Sequence, residues 1–397
     1  MLIRQRENKM WDELIGQEFS VKALTQAAID AKSSLTGKVL PGFSQAWLIT
    51  GPPGSGRSTA ARLFAATLQC EQDGCGKCVS CISVNNATHP DVKVITPQGL
   101  SYGIDDTKDL VREAAMLPGL GQWNIIILED ADRLTTEAGN ALLKAIEEPA
   151  KLTMWILCAP SSKDVLITIK SRCRIISLRT PPADEIAELL IKRDGIDKAM
   201  AHFASHASLG HVGRAKLLAT DEQVRDRRSL VLQVPFELKD LPNCFAAAQR
   251  LVDAATEDAD IATDEMDEKE LSNLMRAYGE GAEGVTKRKI EKLASSAKKE
   301  LEEGQKKRYK RITRDRLDLT LQELAAFYRD VLVLQSGAQL DLFHSEMKGS
   351  IQRFADSSSI NSTIKRLDAV EATRRMLNSE AAPLLVMESM TVQLARA

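Results

Sequence analysis

The stretch Leu48-Ile49-Thr50-Gly51-Pro52-Pro53-Gly54-Ser55-Gly56-Arg57-Ser58-Thr59 decides the fold. Its first three residues read as a buried strand, and Thr59 to Gln69, rich in Ala and Leu, reads as a helix. Strand, glycine turn and helix in that order make a phosphate-binding loop. Gly51, Gly54 and Gly56 let backbone N–H groups close around phosphate oxygens, and the helix N-terminus adds its positive end. Ser58 is the hydroxyl that would hold Mg²⁺, with Thr59 beside it. One fixed position departs from the pattern. Where a lysine would set a compact ammonium on the β- and γ-phosphates, this chain has Arg57. Arginine keeps the charge but is longer, planar and forked. Nucleotide binding with Mg²⁺ therefore stays open, while efficient turnover is not expected.

A second acidic feature belongs to the same site. Asn124 to Leu128 is a short apolar strand of the kind buried in a parallel sheet, and it ends in Glu129-Asp130-Ala131-Asp132. In a parallel sheet the phosphate loop and this acidic strand end lie at the same carboxyl edge, where a nucleotide would sit.

Working outward, the alternation of strands and helices continues over residues 11–180. Ala46–Thr50, Val92–Thr96, Ile125–Leu128, Thr153–Ala159 and Ile175–Leu178 read as strands of an open parallel sheet wrapped by helices. Pro181-Pro182 ends this pattern. Residues 181–222 then read as a small three-helix unit, and residues 223–397 as helical throughout, an interaction domain with no chemistry of its own. Within it, Glu257 to Glu270 is strongly acidic and Val285 to Arg316 strongly basic. The basic run has amphipathic helical spacing, so a solvated charged face is the first reading. DNA contact and pairing with the acidic stretch are the alternatives. Phe327 to Leu334 reads as a helix that a bundle would bury.

Four of the seven cysteines fall together as Cys70, Cys75, Cys78 and Cys81, with Gly74 and Gly76 between them for tight turns. Four thiolates in a tetrahedron suit a structural Zn²⁺ with no open position. An iron–sulfur cluster is the rival, weakened because no cysteine and proline follow at the ferredoxin spacing, and unligated thiols are the third reading. Cys158 reads as a small packed residue, and Cys244 has no visible partner.

Length and composition set the frame. A chain of 397 residues should hold two or three domains. A net charge of −2 announces no general nucleic-acid binder, and 4% aromatics argue against a base-stacking single-strand binder. No apolar run approaches the roughly 18 residues of a membrane span. The polar N-terminus is unlike a signal peptide, so a cytoplasmic protein with reduced thiols is expected. Residues 1–10 read as an N-terminal extension, with Met10 an alternative start to Met1.

The assembled residues resemble the clamp-loader branch of the AAA+ ATPases, specifically over about residues 11–220 and loosely beyond. Trp11-Asp12-Glu13-Leu14-Ile15-Gly16-Gln17 is similar to the family's N-terminal box. The cysteine knuckle after the phosphate-loop helix is similar to its zinc module, and His89-Pro90-Asp91 follows in the usual place, with His89 structural. Asn140-Ala141-Leu142-Leu143-Lys144, running into Glu147-Glu148-Pro149, resembles its signature helix.

The resemblance implies an α/β AAA+ P-loop domain with a three-helix lid, followed by an all-α C-terminal collar domain. It implies that Arg172, in Ser171-Arg172-Cys173, is an arginine finger reaching a neighbour's ATP, and that Arg214, after Gly213, is a second sensor. Family members normally read Asp-Glu where this chain has Glu129-Asp130. The reversal moves each carboxylate by about 1.5 Å, and a misplacement near 1 Å can cost on the order of 100-fold in rate. Ala159-Pro160-Ser161-Ser162 also lacks the usual first-sensor Thr or Asn. The expected role is a non-hydrolysing stator in a hetero-oligomeric ring. Its partners would be motor subunits of the gamma/tau type and a delta subunit, with the sliding clamp and primed DNA reached through the complex. The alternative, a motor ATPase, expects Lys at position 57 and Asp-Glu at 129–130.

Overall fold

The structure, a computed structural model, describes residues 9–37, 43–279, 287–377 and 381–397. It divides into two compact units, one of residues 1–97 and 101–219, the other of residues 98–100 and 220–397.

The first unit begins with α1 (Glu18–Leu35) and β1 (Ala46–Thr50), and continues through α2 (Arg57–Gln69), α3 (Val79–Asn85), β2 (Val92–Ile95), α4 (Ile104–Ala114) and β3 (Asn124–Leu128). It then runs through α5 (Thr136–Glu147), β4 (Thr153–Ala159), α6 (Ile167–Lys170) and β5 (Arg174–Ser177). All five strands are parallel, in the order β2-β3-β4-β1-β5. The expected strands are present, with ends displaced by one residue.

Successive side chains of a strand point to opposite faces, and here both faces are covered. Trp47, Ile49, Ile125, Ile127, Met154 and Ile156 lie in one core with α1 and α2. Their neighbours Leu48, Ile126, Leu128, Trp155 and Leu157 lie in another with α4 and α5. That is why the strands read as unbroken apolar runs. Met10, assigned above to the extension, is buried together with Trp11; residues 1–8 lie outside the described residues. Three helices complete the unit, α7 (Ala183–Asp194), α8 (Lys198–Ala207) and α9 (Val212–Thr220). Asp197 caps α8 by accepting from the Ala199 and Met200 N–H groups.

Apart from residues 98–100 and the connections, the second unit is helical among the described residues: α10 (Glu222–Glu237), α11 (Leu241–Ala277), α12 (Lys287–Ser336), α13 (Lys348–Asp356), α14 (Ile360–Leu377) and α15 (Pro383–Arg396). Its core gathers Leu251 and Ala255 from α11, Leu317 to Val331 from α12, Ile351, Val370, Met387 and Met390. The Phe327 ring meets Phe236, Tyr328 and Phe354 edge-on. A charged network is buried beside it. His344 Nδ1 is 2.9 Å from Asp330 Oδ2, and its Nε2 is 3.1 Å from Glu323 Oε2. Arg228 Nη1 donates to Glu346 Oε1 at 2.6 Å, and Arg329 Nη1 to Asp330 Oδ1 at 2.8 Å.

α11 and α12 are antiparallel, and their pairing revises the reading of the basic run. Arg308 donates to Glu270, at 2.9 Å to Oε1 and 2.6 Å to Oε2, and also to Asp267. Acidic and basic stretches thus pair across the hairpin at this point, and Leu293 of the basic run is 58% exposed. The side chains of Lys287-Arg288-Lys289 lie outside the described residues. No helix of the described residues is long and apolar enough to cross a membrane.

Candidate functional site

The phosphate loop lies between β1 and α2. Gly54 and Gly56 hold φ of 84° and 89°, the left-handed region that glycine enters without steric cost. With Gly56 as cap, α2 starts at Arg57, two residues before the expected Thr59. The Arg57 guanidinium turns back onto its own loop, where Nη1 donates to Gly51 O at 2.8 Å. Ser58 Oγ donates to Glu129 Oε2 at 2.8 Å, so the first acid of the reversed pair is the one that meets the loop hydroxyl. Asp130 sits in the left-handed region at φ 48°, which turns it off the line of β3, and its carboxylate lies 3.8 Å from Arg133. Tyr102 Oη fixes this corner, 2.6 Å from Glu129 O.

Glu129 is buried, and burial raises its pKa; the Ser58 hydrogen bond and the Arg57 and Arg62 charges work the other way, while Asp130 adds to the rise. Asp132 is raised by burial and by Asp130. Cys158 joins the site as well. Its thiol is pushed well up by complete burial, with the Glu129 charge adding to the rise. Cys158 is packed in the core, as the sequence reading has it; its nearness to Glu129 was not foreseen. The available signal was its pairing with Ile49, two residues before the loop.

From the lid, His211 presses on Gly54: a Cβ at that glycine would collide with His211 Cα and Cβ. His211 Nδ1 accepts from Arg214 N at 3.2 Å, in the first turn of α9. Burial lowers its pKa, helped by Arg214 and Arg57. His211 was not foreseen, although it stands two residues before Gly213-Arg214. The N-terminal box closes the other side. Leu14 fills the space beside Gly56, and the Gln17 amide donates to Arg179 O at 2.6 Å and accepts from Arg179 N at 3.1 Å.

Arg172 makes none of its hydrogen bonds to that loop. It follows α6, where Nε donates to Glu147 Oε2 at 2.9 Å and Nη1 to Thr168 O at 3.0 Å. Its side chain is 33% exposed. An exposed pair of this kind holds a rotamer but is worth only about 0–1 kcal/mol.

The four cysteines make a separate site at the end of α2. Their sulfurs all lie within 4.8 Å of one another, with Cys70 3.6 Å from Cys75 and 3.7 Å from Cys78. A tetrahedron with Zn–S bonds near 2.3 Å has S–S edges of about 3.8 Å. Backbone N–H groups of Gln72 and Cys75 point at Cys70 Sγ, both at 3.3 Å, and those of Cys78 and Cys81 at the preceding sulfurs. The N–H groups of Lys77 and Cys78 lower the Cys75 thiol to about 6, while burial raises Cys78 and Cys81. The donor set fits zinc. His89 is structural in its geometry: Nδ1 accepts from Asp91 N at 3.1 Å. Asp91 in turn accepts from the N–H groups of Gly119, Leu120 and Gly121 at 2.6–2.8 Å.

Residues 37–182 match the family model described as DNA polymerase III, delta subunit. The chain is 32% identical over 196 residues to the DNA polymerase III subunit gamma/tau of Mycobacterium tuberculosis, covering 48% of this chain and 32% of that one. It is 29% identical over 195 residues to the DNA polymerase III subunit delta' of Bacillus subtilis, covering 48% and 59%. The match therefore spans about a third to three fifths of these curated relatives. A DNA polymerase III gamma subunit-related protein of Thermotoga maritima overlays 92% of this chain and 99% of its own at 16% identity and a TM-score of 0.40, too loose for inference about residues. Loop, sheet and matched segment together support a clamp-loader AAA+ relationship for residues 37–182.

Proposed function

We propose that this chain is a delta-prime-type stator of a DNA polymerase III clamp loader. In this role it hydrolyses no ATP itself and lends Arg172 to an adjacent gamma/tau-type motor subunit. The observation that carries the reading is the Arg57 guanidinium, bound to the Gly51 carbonyl of its own loop. That bond removes from the phosphate side the charge that a catalytic lysine would present there. Glu129 instead of Asp at Ser58 works in the same direction, because it changes the reach of the carboxylate that meets the loop hydroxyl.

In the assembled ring Arg172 exchanges its weak contact with Glu147 for the γ-phosphate of the neighbour. There a guanidinium stabilises charge developing in the transition state, an effect worth on the order of 10³-fold or more. The partners are motor and delta subunits, and through them the sliding clamp and primed DNA. The cysteine knuckle holds one Zn²⁺, whose contribution is rigidity at the end of α2, with no open coordination position for chemistry. Similarity to gamma/tau subunits keeps a second reading in view, an active motor ATPase.

The test is DNA- and clamp-stimulated ATP turnover of the reconstituted loader with Arg172→Ala and Arg57→Ala made separately. Loss of turnover with Arg172→Ala alone is expected of the stator. Loss with Arg57→Ala would make the chain a motor.

A further inference from the structure

We propose that the outer edge of α12 is a docking surface for the phosphate backbone of double-stranded DNA, independent of the stator role. Lys292, Lys299, Lys306 and Lys310 are all exposed. Seven helical residues rise about 10.5 Å and return to within about 20° of the same direction, so these lysines form a straight row about 27 Å long. None of them pairs with an acid among the described residues. The inward-facing basic group is treated differently: Arg308 is spent on Asp267 and Glu270 of α11.

The hairpin's geometry separates the two signs of charge. Exposed Glu257, Asp264 and Glu268 lie on α11, away from its buried Ala259 and Thr263. The core of the unit reaches only to Ala255 on α11 and starts again at Leu317 on α12, so the lysine row lies on a stretch outside that core.

Three features choose DNA over a protein. The residues within the row are Ser295, Ser296 and Glu303, all exposed, and Leu293 beside Lys292 is the one exposed apolar side chain of residues 291–310, too little for a protein interface to bury. The aromatic residue of the stretch, Tyr309, is half-buried beside Asp260 of α11 and not on the row, so it offers unpaired bases no stacking platform there. A row of lysines without base-reading partners is suited to sequence-independent phosphate contact. Glu303 is the opposing charge within the row; the exposed Glu291, Glu300 and Glu302 stand beside it, the last 3.8 Å from Lys298.

The experiment measures binding of the full chain to a fluorescent 30-base-pair duplex as NaCl is varied. With about four phosphate contacts, log K should fall against log salt with a slope near −3.6, on the order of 100-fold between 50 and 200 mM. The variant with Lys292, Lys299, Lys306 and Lys310 all changed to Ala should keep its circular dichroism, lose most of the affinity and flatten the slope. Glu303→Lys should tighten binding several-fold, with a steeper slope. Equal binding by the four-alanine chain, or no binding at 50 mM, overturns the proposal. So does displacement of the duplex by poly-glutamate at equal charge, which would point to an acidic protein instead.

Discussion

At the scale of single residues, the site was legible where the chemistry demands a particular atom at a fixed place in a motif. Arg57, Ser58 and Glu129 announced themselves because a phosphate loop has few acceptable side chains at those positions. His211 and Cys158 did not, because each reaches the loop through tertiary packing that no local spacing encodes. The same limit hid His344, which lies buried between Asp330 and Glu323. Burial opposes its charged form, but hydrogen bonds to the two carboxylates outweigh this and raise its pKa. Arg228 faces the same group and works against the rise. Asp330 is lowered despite its own burial, through His344 and Arg329.

A raised folded-state pKa means that the imidazolium's contribution is fully present below the unfolded value, near 6.5, and is lost as pH rises through the folded value. Denaturant titrations should therefore show less stability above that value than at pH 6, to the extent of this pair. His344→Gln should remove that dependence. Asp330 keeps Arg329 and Glu323 keeps Arg228 at 3.5 Å, so the variant loses charge-assisted hydrogen bonds rather than all compensation and should cost about 1–3 kcal/mol. An unchanged pH profile in the variant would show that the imidazolium contributes nothing.

At the scale of elements, strands were the easiest to read. Strands buried on both faces become continuous apolar runs, and all five were found to within a residue at each end. The long helices were harder. Charge spacing along α12 cannot tell a solvated face from one that meets α11, since both put charges at helical intervals. The knuckle is intermediate: spacing announced the ligands, while the match of sulfur separations to a ZnS₄ tetrahedron needed coordinates. One zinc per chain by elemental analysis of freshly purified protein is the expected result; iron, or no metal, would refute it. A site held at a thousand times its Kd contributes about 4 kcal/mol, or roughly 8–16 °C in a unit of this size. Chelation, or Cys75→Ser, should lower the melting temperature of the α/β unit by that order.

At the scale of the whole chain, two units with separate cores should melt as two events. Calorimetry should resolve them, and chelation should move only the transition of the α/β unit. A single transition displaced as a whole would mean that the units unfold as one. The α/β unit carries a further consequence in its wiring. β1, made early, is flanked by β4 and β5, made late, and Gln17 is tied to Arg179 across 162 residues. At ~5–20 residues per second the ribosome needs about 8–30 s to span that interval. From Thr50 until Thr153 is made the nascent β1 has both edges unpaired, and until Arg179 is made the N-terminal box has nothing to close upon. The chain is thus born with a built-in waiting time, during which a chaperone, or the ribosome surface itself, must shield a strand of five largely apolar residues.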